Sequence, residues 1–113
     1  MDAVQMLALI RKTWEGLGVD LEAYLNQKTA TVSLPRIFVR KDQRGEGLAT
    51  KAMKDLCLYA DEYKLTIVLS PSTDFGASSV GRLKKFYERF GFVQNKGRNR
   101  DFAISDSMYR IPR

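Results

Sequence analysis

Residues Val39 to Lys51 read "VRKDQRGEGLATK". The segment before them, Thr29 to Val39, is rich in β-branched and apolar residues, a strand signal. The segment that follows, Gly47 to Tyr63, repeats apolar residues at helical spacing. Leu48, Ala52, Leu56 and Ala60 form an i,i+4 ridge, joined by Ala49, Met53, Cys57 and Tyr63. The stretch is therefore a strand-to-helix junction carrying two glycines, Gly45 and Gly47, beside Arg44. The first amides of a helix have no acceptor of their own and, with the positive end of the helix dipole, face whatever sits in front of them. Glycine lets the backbone approach a ligand closely, and arginine adds a permanent charge shaped for phosphate. The stretch reads as a phosphate cradle or as a tight turn whose glycines serve geometry alone.

Two nucleotide loops are excluded by one or two positions each. A P-loop starting at Gly45 needs glycine at position 50 and a hydroxyl at 52, where the chain has Thr50 and Ala52. A dinucleotide fingerprint fits Gly45 and Gly47 but again meets Thr50 in place of its third glycine.

Outward from the junction, the rest of the chain falls into short elements. Asp2 to Glu15 reads as a helix with Ala3, Leu7, Ile10 and Trp14 on one face, a capping box in Asp2 and Gln5, and a stop at Gly16 and Gly18. Leu21, Tyr24 and Leu25 favour a short second helix over Val19 to Asn26. Pro35 breaks the following strand into two or gives it a bulge. Leu65 to Leu69 is a continuous apolar run, as a buried parallel strand should be. Val80 to Phe90 reads as a helix with Val80, Leu83, Phe86, Tyr87 and Phe90 inward, stopped at Gly91. Phe92 starts a strand, Asn95 to Asp101 is a basic turn, and Phe102 to Ile111 reads as a final strand pairing antiparallel with its predecessor. The central strand, helix and strand require a parallel pair with a right-handed crossover. The expectation is a mixed α/β sheet covered by helices, one domain over residues 1–113.

Composition narrows the chemistry. The 113 residues include one cysteine and no histidine. Histidine-assisted nucleophiles and an imidazole base are excluded, a zinc site is disfavoured, and no metal ligand set is assigned. A lone cysteine, Cys57, fits core packing and a reducing, cytoplasmic setting. No apolar run suits a membrane span. The net charge of +6 attracts anions or simply keeps a surface solvated.

The residues Val39, Arg44, Gly47 and Ala49 resemble motif A of the GCN5-related N-acetyltransferases, the GNAT superfamily, written Arg/Gln-x-x-Gly-x-Gly/Ala with a valine five residues before the arginine. About forty residues on, "FYERFGF" (Phe86 to Phe92) is similar to the ending of that family's last helix. The two motifs in order cover roughly Ile37 to Val93. The resemblance implies a GNAT-like sheet with a shortened N-terminal half and an acetyl-CoA-dependent transfer of an acetyl group to a primary amine that attacks directly. It implies that Arg44, Gly45, Gly47, Leu48, Ala49 and Thr50 hold the CoA pyrophosphate, with Lys85 in reach of CoA phosphates. It implies that the backbone of Phe38 and Val39 pairs with the pantetheine arm and that Tyr87 serves the departing thiolate. No carboxylate lies in Thr31 to Val39 to act as base; Asp74 is a candidate, with a turn or capping role as the plainer reading. The acceptor amine stays unidentified, and an anionic or nucleic-acid-linked partner and a homodimer stay open. The alternative is a catalytically inactive module of the same fold that binds nucleic acid, protein or CoA.

Overall fold

The computed structural model describes residues 1–72 and 79–113. Along the chain run α1 (Ala3–Gly16), β1 (Val19–Asn26), β2 (Thr31–Val39), α2 (Leu48–Glu62), β3 (Thr66–Leu69), α3 (Val80–Glu88), β4 (Val93–Gln94) and β5 (Met108–Arg110), with one-turn helices at Lys41–Gln43 and Gly97–Asn99. The described strands form one five-stranded sheet in the order β1-β2-β3-β5-β4, flanked by the three α-helices. Strands β2 and β3 are parallel, joined by the α2 crossover, and every other pair is antiparallel.

The first helix forms as its ends dictate. Asp2 accepts the Gln5 amide at 2.8 Å and Gln5 returns a bond from its side chain to the Asp2 amide at 3.2 Å. Leu7 and Trp14 are buried, and the Trp14 indole donates to the Asp55 carboxylate of α2 at 2.9 Å. The neighbouring segment corrects the reading of a second helix: Val19 to Asn26 is strand β1. Val19, Leu21 and Ala23 alternate inward, and Asp20, Glu22 and Tyr24 take the other face. A period of two suits a half-buried strand better than the three apolar residues suit a helix.

Pro35 does produce a bulge. Between the pairs Glu22–Arg36 and Tyr24–Ser33, β1 advances two residues while β2 advances three, so the extra residue lies at Leu34–Pro35 opposite Ala23. Along the other edge of β1, the Arg11 guanidinium donates to the Leu21 and Ala23 carbonyls at 3.1 and 3.3 Å and lies over the Tyr24 ring. A charged side chain on those carbonyls discourages edge-to-edge pairing.

One core joins the helices to one face of the sheet. Leu7 and Trp14 of α1, Met53 and Leu56 of α2 and Tyr87 of α3 pack with Val19, Leu21, Val32, Ile67, Leu69 and Met108. Each fully buried Leu, Ile or Met here contributes roughly 1.5–3 kcal/mol. Cys57 lies in this core, and burial pushes its thiol pKa up, which suits packing and not nucleophilic attack.

The final strand is shorter than its sequence suggests. Phe102 to Ser107 belongs to a loop, and only Met108–Arg110 pairs, inserted between β3 and β4. Asn95 is the reason. Its buried amide nitrogen shares its two hydrogens among the carbonyls of Asp101, Ile104 and Asp106, and its oxygen accepts the Asp101 amide at 2.7 Å. Those backbone groups are therefore not available for a ladder. Arg110 then clamps the sheet to two helices, donating to the Phe90 carbonyl at 2.7 Å and to both Asp61 oxygens at 2.8 and 3.1 Å. Among the described residues no helix is long and apolar enough to cross a membrane.

Candidate functional site

The site begins where the sheet opens. The β2–β3 ladder pairs Thr31 to Ser33 with Thr66 to Val68 and then stops. Strand β2 continues to Val39, still paired on its other side to β1. The bulge at Leu34–Pro35 falls at the point of divergence, and proline has no amide hydrogen to extend the ladder. Beyond Ser33, β2 has no further ladder pair with β3 among the described residues. The cleft left between the strands is lined by Leu34, Pro35, Ile37, Ser70, Leu83 and Tyr87, among others.

Tyr87 reaches that cleft from α3. Ser79 starts the helix by accepting the Arg82 amide at 3.1 Å. The Tyr87 ring packs edge-on to Phe86 and tilted on Phe92, with centroids 5.3 and 5.6 Å away. These contacts hold the ring in the core, 6% exposed, while its hydroxyl meets no hydrogen-bond partner among the described residues. Burial alone pushes its pKa up to about 12. The group is a protonated, unpartnered donor at the wall of a cleft.

The glycine loop lies at the other end of the opened strand. Gly45 has φ +92° and Gly47 has φ +70°, both in the left-handed region that favours glycine. A β-carbon at either would meet nothing within 4 Å, so the glycines are required by backbone conformation and not by crowding. Gly47 caps α2 without a side chain, and the first intrahelical bond runs from the Lys51 amide to the Gly47 carbonyl at 3.1 Å. The amides of Leu48, Ala49 and Thr50 are therefore left without a helical acceptor. Arg44 folds back on the strand end, donating from Nε to the Val39 carbonyl at 3.1 Å and lying 5.2 Å over the Phe38 ring. Arg36 also lies over that ring, at 4.9 Å.

Of the residues singled out in the sequence, Phe38, Val39 and Arg44 touch one another, and Gly45 to Thr50 form the open helix start. Tyr87 lines the cleft. Lys85 stands exposed on α3 and is not part of the cleft wall. Asp74 lies outside the described residues. A further hollow of about 350 Å³ escaped the sequence reading. Glu15, Gly18, Asp20, Arg36, Phe38 and Arg40 line it, and Asp20 pairs with Arg36 at 3.6 Å. Its sequence signal was the alternation in Val19 to Tyr24, which puts Asp20 on the sheet face opposite the core.

The family described as "Acetyltransferase (GNAT) domain" matches residues 8–94. An acetyltransferase of the GNAT family from Staphylococcus aureus Mu50, known from its crystal structure, shares the fold with a TM-score of 0.58 at 18% identity. The match covers 85% of this chain and 60% of the other, so the chain spans less than two thirds of that relative's length. No curated protein sequence matches the chain.

Proposed function

Because the chain belongs to the GNAT acetyltransferase family, we propose that it moves an acetyl group from acetyl-CoA to a primary amine by direct attack in a ternary complex. The observation that carries this reading is the opened β2–β3 cleft with the unpartnered Tyr87 hydroxyl in its wall. The donor's chemical contribution is a thioester carbonyl that an amine can attack. The chain's own groups fit such a donor at three points.

The free amides of Leu48, Ala49 and Thr50, with the backbone of Gly45 and Gly47, bind pyrophosphate oxygens. Each favourable contact with a helix end is worth roughly 0.3–1 kcal/mol, so several act together. Arg44, now spent on the Val39 carbonyl at an exposed site, swings to the phosphates and adds charge-assisted bonds. The open edge of β2 near Phe38 and Val39 accepts the pantetheine amides as an added strand would be accepted. Lys85, exposed on α3, supplies long-range attraction for CoA phosphates.

Tyr87 orients its hydroxyl hydrogen toward the departing sulfur. Its pKa of about 12 exceeds the ordinary thiol value of about 8.5. Complete proton transfer to a thiolate is therefore uphill by about 5 kcal/mol. Tyr87 acts by hydrogen-bonding the developing negative charge, and solvent completes protonation. No carboxylate lies in Thr31 to Val39, so the amine loses its proton to water or to an ionised carboxylate outside β2. Residues 1–113 act as one such domain, in the cytoplasm. Incubation with acetyl-CoA and a panel of small amines, peptides and aminoacylated nucleic acids, followed by thiol release and product mass, tests the reading. Acetylated product is the expected result, and its absence across the panel under conditions where acetyl-CoA binds refutes the transferase claim.

A further inference from the structure

The loop between β4 and β5 is a second feature with its own chemistry. It displays Lys96, Arg98 and Arg100, all exposed, and Lys84 of α3 faces it. Lys84, Lys96 and Arg100 border a hollow of about 280 Å³, together with Ser105 and Asp106. The acidic residues of the loop hold neutral donors. Asp106 accepts the Ser70 hydroxyl at 3.1 Å, and Asp101 accepts the Ala103 amide at 2.9 Å. Among the described residues the ion pairs within 4 Å are Arg36–Asp20 and Arg110–Asp61, so none of the four cations is in a direct pair, and the single Asp106 carboxylate in the hollow leaves it net positive.

Beside this charge stands an aromatic surface. Phe102 is 87% exposed, and the Arg100 guanidinium lies 5.0 Å over its ring. Leaving a phenylalanine in water forgoes roughly 1.5–3 kcal/mol of burial, and solvation of the basic turn gives no reason to place one there. The loop is also braced from within. The four bonds of Asn95 fix its interior, the Tyr109 hydroxyl donates to the Asn99 carbonyl, and Arg100 donates to the Asn95 carbonyl at 3.3 Å.

We propose that the loop from Lys96 to Ser107 is a docking surface for single-stranded nucleic acid, phosphates seating in the Lys84–Lys96–Arg100 hollow and a base stacking on Phe102. The pairing of features selects this partner. Phosphate charge matches the cations, and the face of any base matches the exposed ring beside a guanidinium. An acidic peptide would use the cations and leave Phe102 wet. A duplex would keep its bases stacked away from it. The surface adjoins the cleft, because Ser70, which lines the cleft, is also tied to the loop through Asp106 and the Ser107 amide. The proposal does not depend on acetyl transfer.

Fluorescence anisotropy with a labelled single-stranded oligouridylate, titrated over a range of salt, tests it. Binding is expected, with log affinity falling linearly against log salt. Lys96→Ala should flatten that slope by roughly 0.7. Phe102→Ala should weaken binding roughly 5- to 150-fold with the slope unchanged. Both side chains are exposed, so circular dichroism should show intact folds, and acetyl-CoA affinity should not move. No binding at low salt overturns the proposal. So does a Phe102→Ala protein that binds as the wild type does, or displacement of the probe by polyglutamate or duplex as effectively as by single strand.

Discussion

Replacing Tyr87 by phenylalanine removes one oxygen and leaves the packing of the ring on Phe86 and Phe92 in place. The hydroxyl has no hydrogen-bond partner among the described residues, so folding loses none; stability should stay within about 0.5 kcal/mol of the wild type. Catalysis should lose more. A hydrogen bond to a charged group is worth roughly 1.5–3 kcal/mol, and at about 1.4 kcal/mol per factor of ten the turnover number should fall about 10- to 150-fold. The Michaelis constant for acetyl-CoA should change little, because the bond forms as charge develops on sulfur. The pH profile is a second readout. With its pKa raised to about 12, Tyr87 stays protonated through neutral and moderately alkaline pH. Its ionisation should add no falling limb to the wild-type profile below about pH 10. Steady-state kinetics with an amine identified from the panel and thermal unfolding of both proteins supply the numbers. A Tyr87→Phe enzyme with full turnover would refute the role. A protein that merely unfolds would show that the ring's environment had been misjudged.

Other consequences follow from the same structure. Gly47→Ala keeps the open space but forces a β-carbon at φ +70°; it should cost about 1–2 kcal/mol on unfolding and weaken acetyl-CoA binding by calorimetry about tenfold or more. Asp61→Ala strips the buried Arg110 of its carboxylate and should cost about 2–3 kcal/mol in denaturant unfolding, less than a fully buried pair because Asp61 is partly exposed. The Arg110 hydrogen bond holds the Asp61 pKa below its ordinary value. The contribution of this pair is therefore complete above about pH 4, the unfolded-state value, and is lost as pH falls through the lower folded value. Asp61→Asn should flatten that acid limb. Asn95→Ala should cost about 2–3 kcal/mol locally, read as faster hydrogen exchange confined to residues 96–107.

Much of this site could be read from the chain because its parts are local. The glycines, the arginine and the helix that follows are contiguous, and a left-handed turn before a helix start leaves its mark in residue type. Tyr87 was legible through its neighbours in "FYERFGF". Pro35 signalled a bulge, but not that the bulge would part β2 from β3, since that depends on where β3 ends. Val19 to Asn26 is ambiguous in sequence because Leu21, Tyr24 and Leu25 also suit a helix face, and only pairing with β2 decides for the strand. The loop before β5 reads as strand in sequence because nothing in Asn95 announces that its side chain gathers three carbonyls. Arg110 looked like an ordinary strand residue, and its role arises from Asp61 and Phe90, far away in sequence. The hollow beside Asp20 and Glu15 is likewise assembled from separate elements.

Isothermal titration of acetyl-CoA into the protein tests the central claim most directly, with Gly47→Ala as the comparison. Saturable binding to one site per chain, weakened in the variant and partly competed by free CoA, is the result expected of a pyrophosphate cradle leading into the β2–β3 cleft. Absence of binding to the folded wild-type protein would contradict the account.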